Sequence, residues 1–336
     1  MNSQPFVTVL LPVYNAQLHV RQSIESVLGQ TFPNFELLII NDGSTDDSEK
    51  EILSYTDARI RYYENESNAG LIATLNWGME LASGKYIVRM DADDICMPDR
   101  IQKQVQFMET HHKVGVCGCC ADVIGKPNIK MKYDAHDASI RIKMLYQCHM
   151  LHPSIILRKD LLDKLGLRYN PAFVHAEDYE LFCRLGKFTK LANLTETLLL
   201  YREHEGSVSR IYQDVQTKNS LEVIQQQFKD LGMEIDETEV DLFKGLMNSR
   251  FDFAEKEVYV IENLLEKIIA ANRQSKNLDE ALLETILFQK WKDLLMNVTR
   301  FGLNIYRLGM NSHLSKLGNF TVTEKVKLSL KSLLKL

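Results

Sequence analysis

The chain has 336 residues, of which 45% are hydrophobic, so it is long enough to bury the core of one large domain or two ordinary ones. Its net charge is −5 at pH 7, and no stripe of Lys and Arg stands out in its first two thirds. These properties exclude the class of nucleic-acid-binding proteins. With neither a secretion signal nor an apolar stretch of transmembrane length, we expect a cytoplasmic protein, at most attached to the inner face of the membrane.

The first hundred residues alternate between strand and helix patterns. Short apolar runs at 6–11, 35–40, 60–63 and 86–90 are typical of buried parallel strands. Between the first two runs, Val20, Ile24, Val27 and Leu28 recur at helical spacing, and a further helix is predicted over 70–81. This alternation predicts an α/β fold with a mostly parallel central sheet flanked by helices.

The remainder of the chain divides into a mixed part and a helical part. Pro98 predicts the first position of a helix, the run 114–124 predicts a strand, and the polar stretch 125–137 predicts a loop. A strand over 194–201 closes this part. Beyond about residue 209, long Leu, Ile and Lys patterns with few Gly or Pro predict a helical C-terminal region.

Three cysteines cluster in the predicted strand 114–124, at Cys117, Cys119 and Cys120. Clustered thiols can bind zinc, but no second Cys or His pair follows at the spacing of a zinc finger. We therefore interpret them as small, buried, reduced thiols.

Three polar motifs stand at the ends of predicted strands: Pro12–Asn15, Asn41–Asp46 and Asp91–Asp94. In an open parallel sheet, ligands bind beyond the carboxyl ends of the strands. We therefore expect the three motifs to line one edge of the sheet and to form a ligand site there.

The acidic motif Asp91–Asp94 places three carboxylates in four residues. Two such charges about 4 Å apart repel by up to about 4 kcal/mol near a protein surface, so a cation should offset them. Mg²⁺ or Mn²⁺ fits, because hard cations bind oxygen ligands and often bridge carboxylates to substrate phosphates. The alternative is a solvated acidic turn that caps the following helix.

The motif Asn41–Asp46 has two interpretations. Asn, Asp, Gly and Ser are typical of a turn that caps a helix. Alternatively, the carboxylate of Asp42 accepts a hydrogen bond from the imide N–H of uracil, while Tyr14 stacks on the base. The second interpretation predicts a nucleotide site.

Six motifs in this order resemble those of family 2 glycosyltransferases: Val9–Asn15, Asn41–Asp46, Asn68–Gly70, Asp91–Asp94, Glu177–Asp178 and Tyr201–His204. The resemblance covers about residues 5–210. It implies a GT-A fold over 1–210, with a nucleotide-sugar part at about 1–124 and an acceptor part at about 125–210, followed by the helical region 211–336.

The resemblance also implies an activity. It implies metal-dependent transfer of a hexosyl group, with inversion, from a nucleotide-diphosphate sugar. The expected donor is a UDP-hexose or UDP-N-acetylhexosamine. The expected acceptor is a hydroxyl of a glycan or lipid-linked molecule, in cell-surface polysaccharide synthesis.

Roles carried over from the family fall on individual residues. Asp93 resembles the metal ligand, assisted by His204, and Asp178 resembles the catalytic base. The donor-binding residues implied are Pro12, Tyr14, Asn15, Asp42, Asn68, Asp91, Asp94 and Glu177, with Asp42 on uracil, Asp91 on ribose or sugar, and Asp94 on the donor sugar.

An inverting transfer needs a base on the face of the sugar opposite the leaving nucleotide. Asp178 opens a predicted helix, whose dipole would lower the pKa of its carboxyl group. Glu177 and the donor diphosphate would raise that pKa. The sequence leaves the net direction open, and simple capping of the helix is the competing role for Asp178.

The segment Val322–Leu336 carries four lysines and one glutamate among Val and Leu. Wound as a helix, it presents one largely apolar side and one basic side, interrupted by Leu328. Two hypotheses follow: peripheral contact with an anionic membrane, or docking of the helix on its own domain or on a second copy in a homo-oligomer.

Two alternative functions remain for the whole chain. A nucleotidyltransferase would need a Gly-rich phosphate loop after the first strand, where this chain has Pro12–Ala16. A catalytically silent nucleotide-sugar-binding protein would have no reason to keep Asp178 beside Glu177.

Overall fold

A computed structural model describes residues 4–203 and 212–335. The chain forms two compact units. The first comprises Met1–Ile140 and Cys148–Ser220, and the second comprises Arg141–Gln147 and Leu221–Leu336. The segment Arg141–Gln147, which sequence reasoning placed in the acceptor part, thus belongs to the helical unit.

The first unit contains a nine-stranded sheet, one half of which is parallel. Its strands β1 (Val7–Val13), β2 (Phe35–Asn41), β3 (Ile60–Glu64) and β4 (Tyr86–Arg89) pair in the order β3-β2-β1-β4. All residues of β1, β2 and β4 are buried, because helices cover both faces of a parallel sheet. This burial explains the continuous apolar runs in the sequence.

Three helices connect these strands: α1 (Val20–Leu28), α2 (Ser48–Leu53) and α3 (Leu71–Leu81). On α1, Val20, Ile24 and Val27 face the core at helical spacing. The predicted alternation of strands and helices over the first hundred residues is confirmed.

The other half of the sheet is mixed. It contains β5 (Ile95–Cys96), β6 (Val114–Val123), β7 (Lys126–Met131), β8 (Ile156–Arg158) and β9 (Lys190–Tyr201). β8 joins β4 to β6 through antiparallel pairing, and β6 runs parallel to β9. β5 pairs antiparallel with β9, and β7 pairs antiparallel with β6. The predicted α/β class is confirmed.

Four helices accompany these strands: α4 (Arg100–Thr110), α5 (Asp137–Lys143), α6 (Lys159–Leu165) and α7 (Glu177–Leu185). Pro98 is not the first residue of α4, as the sequence suggested. It lies before the helix, where its carbonyl oxygen accepts a hydrogen bond from the Thr31 N–H at 2.9 Å.

The predicted loop 125–137 is wrong for its first part, which forms β7. Gly125, with φ +76°, turns the chain back so that β7 pairs with β6. β7 pairs with β6 alone, and Ile129 on it is 48% exposed. An exposed strand at the edge of a sheet does not need the alternating apolar residues of a half-buried strand, and this sequence lacks them. That is why its sequence resembled a loop.

The cysteine-rich run lies in β6, where Cys117, Cys119 and Cys120 are buried free thiols. The interpretation of these residues as buried thiols in a strand is confirmed.

Within residues 212–335, six α-helices follow the sheet, and the predicted helical C-terminal region is confirmed. They are α8 (Gln213–Asp230), α9 (Glu237–Met247), α10 (Glu255–Ser275), α11 (Glu280–Asn297), α12 (Leu303–Asn311) and α13 (Val322–Leu334). Within 4–203 and 212–335, we find no helix that combines the length and the apolarity needed to cross a bilayer.

The buried carboxylate of Glu36 connects strands β1, β2 and β3 in the parallel half of the sheet. Glu36 on β2 accepts hydrogen bonds from the Thr8 hydroxyl at 2.5 Å, from Arg61 Nη1 at 2.7 Å and from the Ser83 N–H at 2.9 Å. Burial alone would raise the pKa of Glu36, but these hydrogen bonds together lower it. The ionised form therefore stabilises the folded state.

We predict that Glu36→Gln lowers the free energy of unfolding by about 2 kcal/mol at pH 7, because a buried charge-assisted network loses its negative charge and one of its two acceptor oxygens. Because the folded pKa of Glu36 is depressed, its contribution is full above the unfolded pKa of about 4.3 and is lost as pH falls through the folded pKa. Urea unfolding of both proteins from pH 7 to pH 3 should show the difference shrinking below about pH 4.

Glu25→Gln is the control, because Glu25 makes exposed contacts, an ion pair with Arg21 at 3.9 Å and a hydrogen bond from the Tyr55 hydroxyl at 3.2 Å. It should change stability by less than about 0.5 kcal/mol. A loss as large as that of Glu36→Gln would contradict the role of burial.

Candidate active site

The carboxyl ends of β1, β2 and β4 meet at one edge of the sheet, because the three strands are parallel neighbours. Tyr14 and Asn15 follow β1, Asp42 follows β2, and Asp91 comes two residues after the end of β4. The three predicted strand-end motifs therefore lie along one edge, as expected.

The loops after β1 and β2 are joined by hydrogen bonds. The Asn15 N–H donates to Ser44 Oγ at 3.0 Å, and Asn15 Oδ1 accepts from the Thr45 N–H at 2.9 Å. Asn15 has φ 47°, a left-handed conformation that Asn tolerates better than most residues. Pro12 is buried inside β1, while Tyr14 is 49% exposed and presents its ring at the edge.

Asp42 is 4% exposed and holds the segment before α3. Its Oδ1 accepts from Asn65 Nδ2 at 2.6 Å and from the Ala69 N–H at 2.9 Å, and its Oδ2 accepts from the Gly70 N–H at 2.9 Å. Three of the four lone-pair positions of the carboxylate are thus filled within the chain. One position on Oδ2 remains for a ligand.

Gly43 brings this segment close to the β2 loop. It has φ +66°, and a Cβ atom there would lie 2.6 Å from the backbone carbon of Ser67. Only glycine fits this approach, which holds the loop after β2 beside Asn68. The side chain of Asn68 is exposed.

The acidic motif forms a cluster in which carboxylate oxygens of Asp91, Asp93 and Asp94 all lie within 4.8 Å of one another. Asp94 is fully buried; its Oδ1 accepts a hydrogen bond from the Arg202 N–H at 2.8 Å. Its Oδ2 is also buried and has no hydrogen-bond partner. Burial, followed by the charges of Asp91 and Asp93, raises the pKa of Asp94 to about 9.

This cluster fits a divalent cation. Its donors are carboxylate oxygens, the ligands preferred by Mg²⁺ and Mn²⁺, and a buried oxygen without a partner is costly unless a ligand or proton satisfies it. Such a cation would also offset the mutual repulsion of the three carboxylates.

Arg89, the last residue of β4, is a site residue that sequence reasoning missed. It is 3% exposed, and its Nη1 lies 2.5 Å from Asp91 Oδ2. Its Nε is buried without a hydrogen-bond partner. The signal in the sequence was a charged residue inside the apolar run 86–90, where an unpaired charge would be expensive.

Glu177 and Asp178 occupy the first turn of α7, as predicted. Burial raises the pKa of Glu177 to about 7, with the negative charge of Asp178 as the next cause. Burial also raises the pKa of Asp178, although the Tyr179 N–H donates to its Oδ1 at 2.7 Å. The positive charge of Arg89 lowers the pKa of both carboxyl groups, so Arg89 acts electrostatically on both acidic motifs.

Arg202 connects the end of β9 to the acidic cluster. Its N–H donates to Asp94, its Nε donates to the Asp93 carbonyl oxygen at 2.8 Å, and its Nη2 donates to Gln22 Oε1 at 2.8 Å. The motif Tyr201–His204 is therefore brought to the cluster through its second residue, Arg202. His204 itself lies outside the described residues.

Two solved structures have the same fold. TarS 1-349 of S. aureus in complex with UDP-GlcNAc matches with a TM-score of 0.56 and 15% identity, over 97% of this chain and 90% of that one. The mannosyltransferase PcManGT of Pyrobaculum calidifontis, in complex with GDP-Man and Mn²⁺, matches with a TM-score of 0.53 and 16% identity, over 98% and 88%. A longer TarS chain is matched over 54% of its length. At these identities the likeness concerns the fold, and the expected GT-A fold is confirmed.

Sequence comparison is more specific. The model of "Glycosyl transferase family 2" matches residues 8–166. A glycosyltransferase of Haemophilus influenzae is 33% identical over 236 residues, which are 66% of this chain and 73% of the relative. The UDP-Glc:alpha-D-GlcNAc-diphosphoundecaprenol beta-1,3-glucosyltransferase WfgD of Escherichia coli is 29% identical over 205 residues, 60% of this chain and 79% of the relative. The chain belongs to glycosyltransferase family 2.

Proposed function

We propose that this protein transfers a hexosyl group from a UDP-sugar to a hydroxyl group of a glycan or lipid-linked acceptor, with inversion at the anomeric carbon. The observation that carries the proposal is the cluster of Asp91, Asp93 and Asp94 at the edge where β1, β2 and β4 end. Family membership favours sugar transfer over the nucleotidyl transfer that the sequence left open.

The nucleotide would bind at the ends of β1 and β2. The exposed ring of Tyr14 offers a stacking surface, and the remaining position on Asp42 Oδ2 offers an acceptor for the uracil N–H. Asn15 and Asn68 lie in the adjoining loops and would complete this donor site together with buried Pro12. WfgD, a relative by sequence, is named for a UDP-Glc donor, which supports UDP over GDP.

The metal would be held by Asp93 together with Asp91 and Asp94, and His204 is proposed as a further ligand. PcManGT, which shares the fold, was solved with GDP-Man and Mn²⁺, and we propose Mn²⁺ or Mg²⁺ here. When bound, such an ion binds the diphosphate and stabilises the charge that builds on the leaving group. Arg89 would orient Asp91 and favour its ionised form against the effect of burial, because its Nη1 lies 2.5 Å from that carboxylate.

Asp178 is the proposed base. It would take the proton of the acceptor hydroxyl while the hydroxyl oxygen attacks the anomeric carbon and the bond to the diphosphate oxygen breaks. Attack opposite to the leaving group inverts the anomeric centre. The raised pKa of Asp178 supports this role, because a general base works best when its pKa approaches the working pH. Glu177, buried beside it and with its own pKa raised by burial and by the charge of Asp178, would support the donor site.

The acceptor is proposed by analogy with relatives. WfgD is named for a diphosphoundecaprenol-linked sugar, which supports a lipid-linked glycan and a place in cell-surface polysaccharide synthesis. The free, buried cysteines on β6 are consistent with a cytoplasmic location, where thiols stay reduced.

We predict that Tyr14→Ala raises KM for the donor by roughly tenfold while kcat changes little, because stacking on a base is worth about 1–3 kcal/mol. Nucleotide release should be measured over a panel of UDP- and GDP-sugars with Mn²⁺, and a UDP-sugar should give the highest kcat/KM. Phe188→Ala, at a ring 59% exposed outside the proposed site, is the control. A wild-type enzyme that uses only GDP-sugars would contradict the uracil assignment.

We predict that excess EDTA abolishes transfer and that Mn²⁺ restores it. Asp93→Asn should weaken Mn²⁺ affinity by at least about tenfold, because the cluster loses one of its anionic ligands. Titration calorimetry measures this directly. Asp99→Asn, which removes an exposed carboxylate paired with Lys103, should leave the affinity unchanged. Full activity in EDTA would remove the metal from the proposal.

We predict that Asp178→Asn lowers kcat by about 10²–10⁴-fold, the usual contribution of a general base, while donor affinity changes by less than about twofold. The matched control is Asp160→Asn. Asp160 also lies in the first turn of a helix, and its Oδ1 accepts the next N–H, that of Leu161, at 2.9 Å. If Asp178 only caps α7, the two variants should behave alike, with turnover close to that of the wild type.

A further inference from the structure

Helix α13 (Val322–Leu334) is attached to its unit by one side. The Thr321 hydroxyl accepts the Glu324 N–H at 3.2 Å, and the Glu324 carboxylate accepts the Thr321 N–H at 2.8 Å, so the helix begins with a complete capping box. Leu328 and Ser332 are fully buried, with Leu328 packed at Gly309 of α12. Leu328, which interrupted the apolar pattern in the sequence, is the docking residue.

The opposite side of the helix is largely apolar and faces solvent, with Thr323 as an exposed polar residue within it. Its exposed residues, the outward apolar stripe, are Val322 (79%), Val326 (52%), Leu330 (54%), Leu333 (62%) and Leu334 (63%). At about 100° per residue, they fall within an arc of roughly 120°. Contiguous exposed apolar surface of this kind marks an interaction site.

Positive charge borders the outward apolar stripe on both sides. Exposed Lys325 lies on one side of the arc and exposed Lys327 on the other, and Lys335 follows the helix. Glu324, the only acidic residue of the helix, is paired with Lys292 Nζ at 2.8 Å. The surface around the stripe is therefore cationic in a chain whose net charge is −5.

We propose that α13 binds the surface of an anionic lipid bilayer, with the outward apolar stripe among the lipid headgroups and acyl boundary and the lysines on anionic phosphates. An apolar arc with lysine borders is the pattern of helices that lie in the membrane plane. The helix has 13 residues, or about 20 Å, which is too short to cross a core of about 30 Å.

A second copy of the chain fits this surface less well. Two outward apolar stripes facing one another would bring Lys325 and Lys327 of both copies together, and like charges repel. Anionic headgroups would instead neutralise the lysines. The proposal concerns binding alone and does not depend on the sugar-transfer reaction.

Flotation of the full chain with vesicles, without donor or acceptor, tests the proposal. At about 0.1 M NaCl, binding to phosphatidylcholine vesicles with about 30% phosphatidylglycerol should be at least tenfold tighter than to phosphatidylcholine alone. The double variant Val326→Ser/Leu330→Ser should bind the anionic vesicles at least about tenfold more weakly. Lys325→Gln/Lys327→Gln should bind about tenfold more weakly, with a flatter dependence on salt.

Leu53→Ser, at a leucine 57% exposed in the other unit, is the control and should bind as the wild type does. Thermal melting of each variant verifies that it is folded, as expected for substitutions at exposed positions. The proposal fails if the wild type does not float with anionic vesicles, or if the serine variant floats equally well. It also fails if light scattering shows a dimer that the serine substitutions dissociate, since the stripe then joins two copies. Nucleotide release measured in parallel tests the sugar-transfer proposal separately.

Discussion

The concentration of negative charge beyond β4 is the constraint on which the site depends. Asp91, Asp93 and Asp94 bring their oxygens within 4.8 Å of one another, and Asp94 does so fully buried. At an effective dielectric constant of about 20, each pair of such charges at about 4 Å repels by about 4 kcal/mol. The fold places a fixed cation, Arg89, beside them, with its Nη1 2.5 Å from Asp91. The remaining charge must be offset by protons or by a bound cation, and the raised pKa of Asp94 expresses the same requirement.

The surrounding hydrogen bonds keep this unfavourable arrangement in place. Arg202, which directly follows β9, donates its N–H to Asp94 and its Nε to the Asp93 carbonyl oxygen. These two hydrogen bonds hold the acidic motif in place. Asp42 has a similar role at the end of β2 on the same edge, where its carboxylate accepts three hydrogen bonds from the segment before α3. The polar motifs thus have a structural function before any ligand binds, because each one accepts hydrogen bonds from backbone N–H groups that would otherwise lack a partner.

The sequence predicted what local pattern determines. The apolar runs of β1, β2 and β4 indicated buried parallel strands, and parallel strands necessarily place their terminal motifs on one edge. It could not predict β7, because its Lys-rich, exposed sequence lacks the alternation of a half-buried strand. It also could not predict that Arg202 would bond to Asp94, which lies 108 positions away, because that contact depends on how β9 pairs with β6 and β5. Arg89 was missed for a simpler reason: one charged residue does not change the period of an apolar run.

Two opposing influences act on Asp178, and their magnitudes decide its chemistry. The helix dipole at the start of α7 favours the ionised form by about 0.3–1 kcal/mol, which is less than about one pKa unit. Burial of a carboxyl group disfavours the ionised form by up to about 3–5 units. Burial is the largest cause at Asp178 and the net pKa is raised, although the Tyr179 N–H and Arg89 oppose it. The direction of the Asp178 pKa shift, which the sequence left open, is therefore decided by how deeply the start of α7 is buried. The position of Asp178 in the first turn of the helix does not decide it. A capping aspartate on an exposed helix would have the same sequence context and the opposite shift, which is why only the packed structure separates the two roles.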